Sequence, residues 1–123
     1  MTPIADVAFV ASVLSLYLDL PDTPLHYNSA DQAFARRLQE QQISLPVIEA
    51  ALLLASLRRL LRPRDLPPLP RIRSLAYFQP VIDELLPQQP LPDSYLQYLR
   101  LKLRSVSSNP SAAVQKTTVL RDR

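Results

Sequence analysis

The chain contains thirteen prolines and no glycine in 123 residues, and this combination restricts its possible folds more than any other feature. Without glycine, the tight turns of β-hairpins lose the residue that best accepts a positive φ. Glycine-rich loops of the kind that hold phosphates in P-loop and dinucleotide-binding proteins are excluded for the same reason. Because each proline fixes φ and tends to end a helix, we expect stiff breaks between helical elements.

Apolar residues recur with helical spacing along most of the chain, and the alternation typical of strands is weak. Five helical segments are predicted, covering residues 3–19, 29–42, 45–61, 74–86 and 93–104. We therefore predict an all-α fold, an irregular bundle of about five helices with a rigid proline-rich connector. Residues 1–104 are expected to form a single helical domain, and residues 105–123 a disordered C-terminal tail.

Capping residues and prolines predict where the helices begin. The predicted starts are Thr2 with Pro3, either Asn28 or Ser29 (with Ser29 and Gln32 at capping-box spacing), Ser44, and Asp93. In the fourth segment, Pro80 predicts either a short turn at 74–78 followed by a helix or a single kinked helix.

Helical spacing also predicts which side chains face the core. The third helix is apolar nearly all round between Val47 and Leu61, so we expect it to be the central helix. The other inward positions are expected to be Val7, Val10, Ala11, Leu14, Tyr17 and Leu18 in the first helix, Ala30, Ala33, Phe34 and Leu38 in the second, and Tyr95, Leu96, Leu99 and Leu103 in the last.

The first helix is apolar over much of its circumference, which is typical of a helix that is central or covered by a partner chain. Asp6 and Asp19 interrupt it, it is too short to cross a bilayer comfortably, and it lacks the basic segment of a signal peptide. We therefore expect no membrane span, and we expect homo-oligomerisation, if it occurs, to use this helix. The absence of cysteine fits a reducing compartment, and we expect the cytoplasm.

The sequence offers no set of residues suited to catalysis. The single histidine, His26, lies in a predicted loop, where a surface or capping role is the ordinary one. Asp83 and Glu84 are adjacent on a helix, so their carboxylates point in different directions and do not form a shared metal or acid/base site. A serine nucleophile elbow would require glycine. We predict a non-enzymatic protein with no catalytic residues, no metal and no cofactor.

Charge is distributed unevenly along the chain. Residues 1–56 carry two arginines and six acids, whereas residues 57–123 carry twelve basic residues and five acids. The basic residues are densest between positions 58 and 73, where six arginines are opposed by one acid, Asp65. These arginines are Arg58, Arg59, Arg62, Arg64, Arg71 and Arg73. Such a cluster indicates a partner that is a polyanion or an acidic protein surface.

Two interpretations of this cluster remain open from the sequence. Guanidinium groups bind phosphates as planar forks, so the arginines suit a nucleic-acid backbone. Tyr77 and Phe78 follow closely, and an aromatic ring beside arginines can stack on an unpaired base. The alternative is that the arginines pair with the acids of residues 1–56, and that Tyr77 and Phe78 belong to the core.

The proline-rich segment between the third and fourth predicted helices also contains a short motif for protein binding. Residues 64–70 match Arg-x-Leu-Pro-Pro-x-Pro, a class I ligand of SH3 domains. A polyproline II helix of this kind fills two aromatic-lined slots, while its arginine meets an acidic pocket. A connector docked on the protein's own helices would be unavailable for this interaction.

Two runs of residues, at 45–51 and at 70–78, suggest a family. The first contains Leu45-Pro46-Val47-Ile48 and precedes Arg58 and Arg59, and the second contains Ile72-Arg73-Ser74-Leu75-Ala76-Tyr77-Phe78. This order resembles the helical segment of replication-initiator and DnaD-like proteins of phages, plasmids and mobile elements, over roughly residues 30–86. The resemblance implies binding to DNA or to replication proteins without catalysis, with Arg58, Arg59, Arg71 and Arg73 as the positions to test.

Two functional hypotheses follow. The first is a helical accessory protein of a DNA replication or mobile-element system that binds nucleic acid through its arginine-rich surface. We expect this nucleic acid to be DNA. The second is a module for protein–protein interaction or oligomerisation that does not bind nucleic acid.

Overall fold

The computed structural model describes residues 3–107, with side chains from Val7 onward, and this part of the chain is helical with no strand. Its α-helices are α1 (Pro3–Leu18), α2 (Ser29–Glu40), α3 (Leu45–Leu60), α4 (Gln79–Leu85) and α5 (Asp93–Ser107). Short 3₁₀-helices flank α4, at Leu75–Phe78 and at Leu86–Gln88. The prediction of an all-α bundle is confirmed. In residues 3–107, no helix combines the length and the apolar character needed to span a membrane.

Helix α3 is the centre of the bundle, as predicted. It packs against α1, α4 and α5. Its buried side chains point in all directions around the helix, from Val47 through Leu57, and Ile48, Ala50 and Ala51 have no exposed surface. Ser44 precedes α3 as predicted but makes no capping hydrogen bond, because its hydroxyl donates to Gln89 Oε1 at 3.4 Å instead.

Helix α1 buries a narrower face than predicted. Val10, Val13, Leu14 and Tyr17 are buried against the core, whereas Val7 is 66% exposed and Ala11 is also exposed. The prediction that Val7 and Ala11 point inward is therefore wrong. They lie four residues apart on a common outer face, turned away from α2 and α3.

Helix α2 begins with a capping box formed by Asn28 and Asp31, so the first of the two predicted starts is the observed one and the Ser29–Gln32 box does not form. Asn28 Oδ1 accepts the amide of Asp31 at 2.9 Å, and Asp31 Oδ2 accepts the amide of Asn28 at 3.1 Å. The other Asp31 oxygen accepts the Leu75 amide at 2.9 Å. Asp31 is 2% exposed and occupies the inward face, so the predicted inward residue Ala30 is exposed instead.

The end of α2 shows how a chain without glycine turns. Gln42 has a φ of 61°, and the amides of Gln42 and Ile43 donate to the carbonyls of Gln39 and Leu38. These bonds form a Schellman motif, whose left-handed residue is most often glycine. Asp22 has a φ of 67° in the loop after α1. Aspartate tolerates this region better than most residues.

Residues 62–74, which we call the connector, link α3 to the 3₁₀-helix and are not helical, as predicted for residues 62–71. The connector starts with a turn in which the Leu66 amide donates to the Pro63 carbonyl at 3.3 Å, so its first part is not extended. Residues 63–71 are exposed on the surface. Ile72 is buried, and its amide donates to the Asp22 carbonyl at 3.1 Å, which ties the connector to the loop after α1.

Around Pro80 the chain forms a short turn followed by a helix, the first of the two predicted alternatives, and not a single kinked helix. A 3₁₀-helix at Leu75–Phe78 precedes α4, which begins at Gln79. Helix α5 buries Leu96, Leu99 and Leu103 as predicted, while Tyr95 is half-buried. Asp93 is the first residue of α5, so it lies inside the helix and not before it as a cap.

The boundary between helix and tail lies later than predicted. Residues 105–107 belong to α5, where the Ser107 hydroxyl donates to the Leu103 carbonyl at 2.7 Å and Val106 packs against the core. The remainder of the predicted tail, residues 108–123, and the predicted cap Thr2 lie outside the described residues.

Candidate nucleic-acid interface

Arg59 fastens the connector to the rest of the protein. It lies in the last turn of α3, and its guanidinium donates to the Asp22 carboxylate, to the Pro70 carbonyl at 2.8 Å and to the Tyr77 hydroxyl at 3.0 Å. Its side chain is 10% exposed. Burial lowers the pKa of Arg59, but hydrogen bonds to Tyr77 and Asp22 outweigh burial, so the pKa is raised and the charge is retained.

Asp22, in the loop after α1, contacts both the end of α3 and the connector. Its carboxylate binds Arg59, and its second oxygen lies 3.5 Å from Arg71 Nε. Its own carbonyl accepts the amide of Ile72. Two arginines of the sequence cluster therefore share one carboxylate. The sequence allowed pairing with the acids of residues 1–56 but did not single out Asp22, the acid in the loop between Pro21 and Pro24.

Arg58 makes a bidentate ion pair across the surface. Its two terminal nitrogens donate to the Glu84 oxygens at 2.9 and 2.7 Å, which connects α3 to α4. The hydrogen bond from Arg58 lowers the pKa of Glu84. Both side chains are about half exposed, at 51% and 42%, so this pair exchanges readily with water and with other ions.

The remaining cluster arginines are freer. Arg62 Nε donates to the Pro67 carbonyl at 3.3 Å. Arg64 and Arg73 are exposed, and neither makes a hydrogen bond or an ion pair with any residue in the described range. The structure thus divides the predicted site: Arg58, Arg59 and Arg71 pair with carboxylates, Arg62 binds a carbonyl, and Arg64 and Arg73 are unpaired. Pairing with acids of residues 1–56 is confirmed for Arg59 and Arg71, through Asp22.

Tyr77 and Phe78, the two residues predicted to stack on a base, differ in exposure. Phe78 has no exposed surface and packs edge-on against Tyr17, with ring centroids 6.0 Å apart. Of the two interpretations, the core one is correct for Phe78: its 3₁₀-helix turns the ring into the core, so it does not stack on a base. Tyr77 points outward and is 44% exposed.

A pocket of about 370 Å³ lies beside Tyr77, between α3, the connector and α4. It is lined by Ala55, Arg58, Arg59, Arg62, Leu69, Tyr77, Pro80 and Val81. A larger groove of about 680 Å³ runs between the connector, the last turn of α3 and the end of α5. The groove shares Arg59, Arg62 and Leu69 with the pocket and also reaches Arg64.

The residues considered for catalysis are not brought together. His26 is exposed in the loop between α1 and α2. Asp83 accepts a hydrogen bond from Gln79 at 2.8 Å, whereas Glu84 pairs with Arg58. Within residues 3–107, no group of three or more histidine, aspartate or glutamate side chains has the arrangement of a metal site.

The proline-rich motif at 64–70 is exposed along its full length. Its backbone is partly engaged, since Arg62 and Arg59 bind the carbonyls of Pro67 and Pro70. Arg64 and Asp65 lie in the turn before the extended part.

Comparison of the chain with protein-family models, with curated proteins and with solved structures gives no match. The resemblance to replication-initiator and DnaD-like helical domains therefore remains a hypothesis from the sequence.

Proposed function

We propose that this chain is a non-enzymatic, cytoplasmic accessory protein of a DNA replication or mobile-element system that binds nucleic acid through its connector. The contact surface consists of Arg62, Arg64, Arg71 and Arg73, and we call it the basic edge. The observation that carries the proposal is that Arg64 and Arg73 are exposed cations without partners among the described residues. Exposed guanidinium groups of this kind are suited to phosphate oxygens.

The charge around the connector supports this proposal. Among the described residues, the carboxylates that lie in the connector or pair with the cluster arginines are Asp22, Asp65 and Glu84. Six arginines against three carboxylates leave a surplus of three positive charges. A surplus of this size corresponds to about three phosphate contacts.

Arg59 has a different role in this proposal. Its guanidinium is largely buried and already has three partners, so it holds the connector in place and does not contact phosphate. Arg58 is intermediate, because its exposed pair with Glu84 can exchange for a phosphate.

The test is a double substitution at the two unpaired arginines. We expect R64A/R73A to weaken binding to a labelled oligonucleotide and to reduce the slope of log K against log salt by about 1.4 for single strands. Fluorescence anisotropy over a salt series measures both quantities. R36A/R37A is the matched control, since it removes two exposed arginines that lie on α2 and outside the cluster at 58–73. Equal losses in the two double variants would show that the basic edge has no special role.

A second candidate function is favoured by the exposure of residues 64–70. We propose that this segment can serve as an SH3-type ligand once its carbonyls are released from Arg62 and Arg59. Titration with a class I SH3 domain should then give binding that is lost in Pro67→Ala and retained in Pro63→Ala, which lies outside the motif. Wild-type protein that does not bind the domain at millimolar concentration would exclude this function.

A further inference from the structure

The pocket beside Tyr77 has features that contact with a nucleic-acid backbone alone does not explain. Its walls are apolar on two sides, formed by Leu69 from the connector and by Pro80 and Val81 from α4. Its third side is formed by Arg58 on α3 and by Arg62 at the start of the connector. An apolar pocket bordered by cations suits a ligand that joins a flat apolar body to a negative charge.

The Tyr77 ring is exposed and yet held in one orientation. Its hydroxyl accepts the hydrogen bond from Arg59 at 3.0 Å, and the Arg59 guanidinium carbon lies 5.4 Å from the ring centroid. The buried ring of Phe78 packs against it edge-on, with centroids 5.2 Å apart and an angle of 85°. Because these contacts already fix the ring, little further ordering is needed when a ligand stacks on it.

Arginine side chains line both the pocket and the neighbouring groove. Arg62 lines both cavities, and Arg64 lies in the groove. A nucleotide whose base occupies the pocket would therefore have cations available for its own phosphate and for the next one along the strand.

We propose that the pocket beside Tyr77 binds one unpaired base, and hence that the protein recognises single-stranded nucleic acid. This inference rests on the proposed function, since it specifies the form of nucleic acid that the basic edge binds. A base in a duplex has both faces covered by its neighbours and is not available to a side-chain ring. An unpaired base offers a free face, and stacking on an aromatic side chain tolerates every base.

The experiment compares three labelled probes of about 12 nucleotides by fluorescence anisotropy: an oligothymidylate, an abasic strand with the same phosphates, and a duplex. Wild-type protein is expected to bind the oligothymidylate about tenfold more tightly than the abasic strand, because stacking is available only to the first. Tyr77→Leu should abolish this difference, and its affinity for the abasic strand should equal that of Tyr77→Phe, which loses the same hydroxyl. Tyr77→Phe, which keeps the ring, should retain most of the difference.

A second pair of variants tests the pocket without changing the 3₁₀-helix. Both Leu66 and Leu69 line the groove, but only Leu69 also lines the pocket, so Leu69→Glu places a negative charge at the pocket and Leu66→Glu places the same charge in the groove alone. Both leucines are partly exposed, at 43% and 37%, so both variants are expected to fold. Leu69→Glu should reduce the preference for oligothymidylate over the abasic strand, and Leu66→Glu should not.

The outcomes separate this inference from the proposed function. Equal binding of oligothymidylate and abasic strand by the wild-type protein would overturn the base pocket and leave the basic edge intact. Tighter binding of the duplex would also overturn it. Failure to bind any of the three probes would overturn the proposed function and the inference together.

Discussion

Arg59 is the side chain whose removal should have the greatest effect on how the connector is held. Its guanidinium is the hydrogen-bond donor for Asp22, Pro70 and Tyr77, three partners from three separate segments. Asp22 is 19% exposed at its side chain, so its charge is poorly solvated once Arg59 is lost. Arg71, at 3.5 Å, replaces this partner only in part.

We expect Arg59→Ala to lower the free energy of unfolding by about 2–4 kcal/mol, since it leaves a partly buried carboxylate and other polar groups without their partner. Urea unfolding monitored by circular dichroism measures the change. Arg64→Ala is the control, because Arg64 is exposed and unpaired in the described part of the chain, and its effect should stay within about 0.5 kcal/mol. Equal stability of the two variants would contradict the role given to Arg59.

At the scale of the helices, the absence of glycine leaves a measurable strain. Helix α2 ends in a Schellman motif whose left-handed position is Gln42, with a φ of 61°. A residue with a Cβ pays about 1–2 kcal/mol in this region, whereas glycine does not.

We therefore expect Gln42→Gly to stabilise the protein by about 0.5–1 kcal/mol, the strain relief less the extra entropy of glycine in the unfolded chain. Thermal unfolding should show a rise of a few degrees in Tm. Gln41→Gly is the matched control. Gln41 has a φ of −79°, which any residue adopts, so glycine there should destabilise. A fall in stability for Gln42→Gly would refute this interpretation of the turn.

Helices and their order were predictable because they depend on local signals. The apolar surface of α3 predicted a central helix, and Pro80 predicted either a kinked helix or the observed break between the 3₁₀-helix and α4. Caps were less predictable, since Asn28 and Asp31 compete with Ser29 and Gln32 at the same spacing. The choice depends on Leu75, whose amide binds Asp31 and lies 44 positions away in the sequence.

At the scale of the whole molecule, the candidate site depends on contacts between distant segments. The sequence identified all six arginines of the cluster, but their pairing is set by Asp22 and Glu84, which the fold brings to them. The opposite orientations of Tyr77 and Phe78 follow from their 3₁₀-helix, in which adjacent residues project to different sides. The spacing of residues in the sequence predicts neither the ion-pair partners of the arginines nor the orientations of Tyr77 and Phe78.

The connector is therefore both part of the structure and the candidate contact surface. Ile72, Arg59 and Asp22 hold it against the bundle, and this leaves Arg64 and Arg73 exposed. Proline-rich backbone suits this role, because it presents side chains without requiring hydrogen bonds along its length.

Binding to nucleic acid through the basic edge is best tested by the affinity of the wild-type protein for a labelled single-stranded oligonucleotide as salt is varied. We expect log K to fall linearly with log salt with a slope of about −2, the value for about three phosphate contacts on a single strand. Affinity that does not change with salt, or no binding at low salt, would contradict this proposal.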